Sequence, residues 1–279
     1  MTAPGPDRAW REALAGWAIP EPILAAAPES PWTLPRAHFA SRTDAQLAAG
    51  EGVALARAAE ALRPRGSLLD VGAGTGRYTL PLARVAGRVT AVEPSAAMRS
   101  YLEASATERG LDNVTVVPEP WESARVEPHD VALVSHVLYP IADVVPFIRK
   151  VDAVSRLACV LVIRIEQLGA GIESLWTEVW GSARPPEPTF LDLFNLLYAM
   201  GIRANAQVIP FGTPRQGATL GATLDDALHQ IRSLLFLAED DPRLETVVRP
   251  RIPDVLVHRG DHWAWKEARH AALIWWTKP

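Results

Sequence analysis

Leu68-Leu69-Asp70-Val71-Gly72-Ala73-Gly74-Thr75-Gly76 (LLDVGAGTG) is the stretch from which the rest of the chain is read. A short apolar run ends on a carboxylate, Asp70, and passes into glycines at alternate positions, Gly72, Gly74 and Gly76. The pattern predicts a buried strand over Ser67–Val71, a tight loop, and a helix from about Tyr78 to Val85. Glycines there let backbone N–H groups face a ligand with no Cβ in the way, at the positive end of a helix dipole.

Downstream, the chain alternates strand and helix. Arg88–Val92 reads as a second strand ending at Glu93, and Pro94–Ser95 opens a helix with Ser95 as N-cap. Asn113–Val117 is a third strand, His129–Val134 a fourth and Cys159–Ile165 a fifth, with a helix over Val144–Leu157. Helical segments between strands imply right-handed crossovers and a parallel sheet covered on both faces. The rhythm then changes. Ser174–Trp180 and Thr189–Met200 read as helices joined by Pro185-Pro186-Glu187-Pro188, and Thr189 with Asp192 forms a capping-box start. Ala204–Pro210 reads as a strand, Thr223 with Asp226 opens another helix, and AALIWWT (residues 271–277) suits a final strand. Upstream, Asp7–Trp17 spaces Trp10, Leu14 and Trp17 on one helical face, Pro20–Pro35 is too proline-rich for regular structure, and Asp44–Leu62 reads as an alanine-rich helix.

Composition bounds the function. The chain has 279 residues, 48% hydrophobic and 22% charged, ordinary for a soluble globular protein that buries a sizeable core. A net charge of −4 gives no basis for a general phosphate-binding surface and argues against nucleic acid as a partner. The single cysteine, Cys159, lies in the apolar run CVLVIRI and reads as a buried structural residue. No cysteine-based metal site can be built, and no metal is expected. The N-terminus lacks the pattern of a signal peptide, and no apolar run approaches the ~20 residues that span a bilayer, so a cytoplasmic protein is expected.

Two cofactor classes use a glycine loop after a first strand. A dinucleotide site wants G-x-G-x-x-G against a pyrophosphate. Here the spacing is G-x-G-x-G, and Asp70 would repel a pyrophosphate but suit a cation. Glu93 can hold both hydroxyls of a ribose as a bidentate acceptor. The two acids thus bracket a ligand with an amino group at one end and a ribose in the middle, as S-adenosylmethionine has.

On these residues the sequence resembles the class I S-adenosylmethionine-dependent methyltransferases. The matching positions are Asp70, Gly72, Gly74 and Gly76, then Glu93 in VTAVEPS, the Trp121-Glu122 region, and HDVALVSHVLY through strand four, covering about Ser67 to Glu166. The resemblance implies a Rossmann-like, seven-stranded, mostly parallel α/β sheet with its last strand antiparallel. It implies Asp70 and the loop (Gly72, Ala73, Gly74, Gly76) for the methionine part of the cofactor and Glu93, beside Pro94, for the ribose, with Ser135 at the end of strand four. The family's acid for the adenine amino group slides here between Glu119 and Glu122. Glu122 is favoured, beside Trp121, whose ring or backbone could lie along the adenine.

Methyl transfer is an in-line displacement, so much of its acceleration comes from alignment, and a base is needed only where the acceptor must lose a proton. His136 is the candidate base and Tyr139 a wall of the pocket, both following strand four at the sheet's carboxyl edge. His38, His258 and His262 are lesser candidates. The Asn/Asp-Pro-Pro-aromatic turn of adenine and amide methyltransferases is replaced by Ser135-His136-Val137-Leu138-Tyr139-Pro140, and no acid cluster suggests a magnesium site. The expected function is methylation of a small, partly apolar molecule. A protein or RNA acceptor, and a non-catalytic binding module, are the alternatives. Residues 1–66 are expected to pack on a methyltransferase domain of residues 67–279. A helical insertion over about 168–201 would meet the N-terminal segment as a lid, using Trp32, Phe39, Trp176, Trp180, Phe190, Phe194 and Tyr198.

Overall fold

The computed structural model describes residues 5–17, 19–26, 52–166, 171–210, 222–266 and 270–278. Trp32, His38, Phe39 and the first part of the helix expected from Asp44 lie outside them. The elements in chain order are α1 (Pro6–Gly16), α2 (Glu21–Ala26), α3 (Gly52–Ala61), β1 (Ser67–Val71), α4 (Thr79–Ala83), β2 (Arg88–Val92), α5 (Ala96–Glu108) and β3 (Val114–Val117). There follow β4 (His129–Ser135), α6 (Val144–Ala153), β5 (Ser155–Arg164), α7 (Glu173–Trp180), α8 (Phe190–Ala199), β6 (Asn205–Pro210) and α9 (Leu224–Leu235). A π-helical turn (Leu244–Val248), α10 (Arg249–Val255), β7 (Leu256–Arg259), β8 (His262–Trp265) and β9 (His270–Thr277) complete them.

Seven strands form one sheet in the order β3-β2-β1-β4-β5-β9-β6. β1 to β5 pair in parallel, and β9 runs antiparallel between β5 and β6. The strand order reverses beside β1, and in open α/β sheets the crevice at that reversal, at the strands' carboxyl ends, is where ligands bind. β1 carries the loop 72–76 to that edge.

Strand periodicity divides the core in two. Leu69, Val71, Ala132, Val134, Leu161, Ile163, Ala272 and Ile274 face one layer, with Trp10 of α1, Phe147 and Ile148 of α6, and Leu193, Leu196 and Leu197 of α8. Leu68, Val131, Leu133, Val160, Val162 and Leu273 face the other, against Ala54 and Ala58 of α3 and Leu82 and Ala83 of α4. Small alanines let α3 lie close to the sheet. Trp10 is fully buried and its Nε1–H donates to the carbonyl of Ile141 at 2.8 Å, so the N-terminal helix is anchored in the main core.

Several boundaries differ from expectation. β5 begins at Ser155, four residues before Cys159, and α6 stops at Ala153. Ser155 bonds the Ala158 carbonyl through its hydroxyl, and the β4–β5 register shifts there, between His129 and Val131. α4 is a five-residue helix reached through turns, because Gly72, Gly74 and Gly76 all take positive φ and delay the helical run.

The insertion is not one unit. α8 packs in the main core, whereas α7 contributes Leu175, Trp176 and Val179 to a second cluster. That cluster is completed by Ile23 of α2, Leu228, Ile231 and Leu235 of α9, Ile252 of α10, and Leu256 and Trp265 of the β7–β8 hairpin. Tyr198 of the expected lid is exposed on α8, and Trp176 is buried. So the aromatic residues divide between two cores, and residues 222–265, expected to belong to the sheet domain, build a separate helical and hairpin layer with α7. The β7–β8 hairpin turns at Gly260 and Asp261, with Gly260 at φ +66°.

Candidate functional site

The three glycines do different work. At Gly72 (φ +73°) an added Cβ would lie 2.3 Å from Val137 Cγ2, and at Gly76 (φ +90°) 2.4 Å from Leu102 Cδ1, so both are required by packing as well as by conformation. At Gly74 (φ +56°) a Cβ would meet nothing within 4 Å. The open face of the loop is therefore at Gly74, between two positions locked into the protein.

The loop's N–H groups do not face a ligand as the sequence suggested. Those of Gly72 and Ala73 both donate to the Val92 carbonyl, at 2.8 and 3.1 Å, and that of Gly76 donates to Ala73 at 2.9 Å. Gly74 N–H donates to Glu93 Oε2 at 2.8 Å, and Ser95 N–H to Glu93 Oε1 at the same distance. The tight loop folds its donors back onto β2, and α4 is too short to present a dipole of its own.

Negative charge is what the site has in excess. Asp70 is 2% exposed and Glu93 7% exposed. Among the described residues neither forms a salt bridge. Asp70 Oδ2 accepts the Thr79 hydroxyl at 2.6 Å. Burial pushes its carboxyl up to about 6; the Thr79 hydrogen bond pulls the other way, and the Glu93 charge adds to the rise. Two buried carboxylates with no salt bridge among the described residues, the charge of Arg77 acting only weakly on Asp70, stand beside a glycine with open space and fit a ligand that carries positive charge and hydroxyl donors. A pyrophosphate fits neither feature.

After β3, Trp121 is 4% exposed, its Nε1–H donates to the Phe147 carbonyl at 3.3 Å, and the Lys150 ammonium lies 4.4 Å from its ring centroid. One ring face is therefore covered, and the residue serves as a core wall. Lys150, unnoticed in the sequence, ties the turn together by donating to the carbonyls of Trp121, Glu122 (3.2 Å) and Ala124 (2.6 Å). Glu119 and Glu122 are exposed. Trp121, Glu122, Ile141, Phe147 and Lys150 line a cleft of about 420 Å³. Pro94 is exposed beside Glu93, and Ser135 ends β4, paired with Val162.

At the end of β4, His136 takes a left-handed backbone (φ +57°), with its N–H on the Val162 carbonyl at 2.9 Å. Such a conformation costs a non-glycine residue roughly 1–2 kcal/mol and persists where the surroundings impose it. Its Nδ1 lies 2.6 Å from the Tyr139 hydroxyl, which also accepts the Arg164 backbone N–H at 2.9 Å. The Arg164 guanidinium covers the Tyr139 ring at 3.9 Å and pairs with the buried Glu187 at 3.0 Å. Glu187 comes from the proline-rich link, so that link is tied to the sheet edge. On the far side of β5, Glu166 accepts both the backbone N–H of His270 (2.6 Å) and its Nδ1 (2.7 Å). Sequence reading gave a role to neither Glu166 nor His270. His258 and His262 stand on the β7–β8 hairpin, where His258 packs edge-on against Trp263. Cys159 is fully buried and its thiol is pushed up to about 12 by burial, as a structural residue requires.

Residues 69–163 match the family model described as a methyltransferase domain. Comparison with curated proteins gives no match. Among solved structures, the chain is similar to the YcgJ protein of Bacillus subtilis, at 19% identity over 81% of this chain and 98% of that one, with a TM-score of 0.50. It is also similar to an S-adenosylmethionine-dependent methyltransferase of Aquifex aeolicus, at 17% identity over 64% of this chain and 94% of that one, with a TM-score of 0.50. At these identities the two structures speak to the fold, whose seven-stranded, mostly parallel sheet with its last strand antiparallel is the one expected from the sequence.

Proposed function

We propose that this chain, whose residues 69–163 form a methyltransferase domain of the class I S-adenosylmethionine-dependent family, methylates a small, partly apolar molecule by in-line displacement. The observation that carries the reading is the pair of buried carboxylates, Asp70 and Glu93, around a loop whose Gly72, Ala73, Gly74 and Gly76 N–H groups are bonded within the protein. Bound S-adenosylmethionine supplies an electrophilic methyl group on a sulfonium sulfur. Asp70 and the loop Gly72, Ala73, Gly74 and Gly76 hold the cationic methionine end, with the open face of Gly74 as the surface of approach. Each Glu93 oxygen keeps a lone pair beyond its backbone bond, and these accept the ribose hydroxyls, beside Pro94. Trp121 and Glu122 border the adenine end, and Ser135 closes the floor at β4.

On the acceptor side, His136 and Tyr139 stand at the carboxyl edge with Phe190 and Phe194 packed nearby on the main core. The second hydrophobic layer, built on α7, α9 and the hairpin, lies outside the sheet and supplies the apolar material from which an acceptor site is made. A net charge of −4 favours a small acceptor over RNA.

The test is calorimetric titration with S-adenosylmethionine and, separately, NAD, followed by a methyl-label screen over small-molecule fractions. Binding of the first alone, with label appearing in a small molecule, is the expected outcome. Preference for NAD would refute the cofactor assignment, and label entering only protein or RNA would refute the acceptor class.

A further inference from the structure

We infer that Glu166 and His270 form the acceptor-side base of this enzyme, taking the proton of a hydroxyl or thiol acceptor; the inference rests on the methyl-transfer reading above. β9 is antiparallel, so its first residue, His270, stands at the same carboxyl edge of the sheet as the last residues of β5. Ligands in sheets of this kind bind at that edge, in the crevice beside β1, and β9 stands three strands from β1 on the β4 side. The Ile165 N–H donates to the His270 carbonyl at 3.1 Å, while on the other side of β5 the His136 N–H donates to Val162. The two histidines thus flank the carboxyl end of one strand.

They differ in what fixes the proton. The partner of His136 Nδ1 is a hydroxyl, which donates or accepts. The partner of His270 Nδ1 is a carboxylate, which when ionised only accepts, so Nδ1 carries the hydrogen and neutral His270 has its lone pair at Nε2. The second Glu166 oxygen holds the backbone N–H of the same residue, so ring and main chain are clasped together. His270 is 40% exposed and Glu166 26% exposed, which leaves the ring accessible from the edge. Glu166 is a positioning residue; His270 meets the acceptor.

The step balances without a further reagent. Nε2 takes the acceptor's proton as the acceptor's oxygen or sulfur forms its bond to the methyl carbon. The carbon–sulfur bond of the donor breaks with its electron pair left on the donor sulfur, and the imidazolium, held by Glu166, returns the proton to solvent.

The experiment needs no identified acceptor. Long-range ¹H–¹⁵N spectra of the full-length protein, with His270 assigned by His270→Gln, report the ring tautomer. A protonated Nδ1 and bare Nε2 are expected, and Glu166→Gln should lose that fixed preference because an amide both donates and accepts. His270 is then titrated with saturating S-adenosylmethionine and with saturating S-adenosylhomocysteine, which differ by one methyl and one positive charge. A ring that faces the methyl group should titrate about half a pH unit or more lower with the sulfonium bound. Coincident titrations, or a proton on Nε2 in the neutral ring, would overturn the assignment. Binding of both ligands with coincident titrations removes only this inference. Failure of either ligand to bind in calorimetry removes the functional reading itself and this inference with it.

Discussion

Replacing each of the three loop glycines by alanine separates the ligand face from the packing faces. All three have positive φ, so each alanine carries a conformational cost of roughly 1–2 kcal/mol. At Gly74 that is the whole cost, since its Cβ meets nothing within 4 Å. At Gly72 and Gly76 the Cβ lands 2.3 Å and 2.4 Å from side-chain carbons, and forcing a methyl into a packed position adds about 1–3 kcal/mol. In a domain of this size each kcal/mol moves Tm by roughly 2–4 °C. Thermal denaturation without ligand should therefore place Gly74→Ala a few degrees below wild type and the other two about twice as far down. Calorimetry should give the reverse order per unit of stability lost. Gly74→Ala puts a methyl group where the donor must come close, and should lose at least about tenfold in affinity (~1.4 kcal/mol) despite the milder fold defect. If Gly74→Ala kept wild-type affinity, or if it unfolded as early as Gly72→Ala, the assignment of Gly74 as the ligand face would be wrong.

Asp70 ties stability to pH. Its folded-state carboxyl is raised to about 6 from 3.8 by burial, so its favourable contribution is complete below about 4 and is lost as pH rises through 6. Asp70→Asn should therefore be more stable than wild type at pH 8 by up to about 3 kcal/mol by urea denaturation, equal to it near pH 4, and weaker in binding the cofactor. Equal stability at pH 8 would refute the burial account. Glu187→Ala should destabilise by about 3 kcal/mol because it leaves the largely buried Arg164 without its anion, and Arg164→Met with Glu187→Leu should recover most of that. Cys159 should resist alkylation in the native protein at pH 8 and react on unfolding; native labelling at the unfolded rate would contradict its burial.

What the sequence disclosed is local chemistry with a period. β1, β2 and the ends of α5, α8 and α9 follow from apolar runs and from Ser95, Thr189 and Thr223 as caps, all of which accept backbone N–H groups as expected. What it hid depends on pairing across distance. Glu166 meets His270 across 104 residues, a contact that exists only because β9 inserts antiparallel beside β5. The β7–β8 hairpin, with Gly260-Asp261 as its two-residue turn, was not among the elements expected from the sequence, which placed only AALIWWT in a strand there. The division of the insertion between two cores was not legible, because an apolar helical face states that it is buried and not against what.

The loop shows why a motif's spacing and its hydrogen bonds must be read together. Glycine spacing alone is compatible with a loop that aims its N–H groups outward at phosphate or inward at its own strand. Here Val92 and Glu93 take the donors of Gly72, Ala73 and Gly74, so the carboxylate that would hold a ribose also shapes the loop that would hold the methionine end. Glu93 therefore couples the two halves of the donor site. Removing its charge should disturb loop geometry as well as ribose contact, whereas removing Asp70 alters charge and leaves the Gly74–Glu93 bond in place. The two acids look alike in sequence, yet one is a structural strut with spare lone pairs and the other is a buried charge held by the Thr79 hydroxyl.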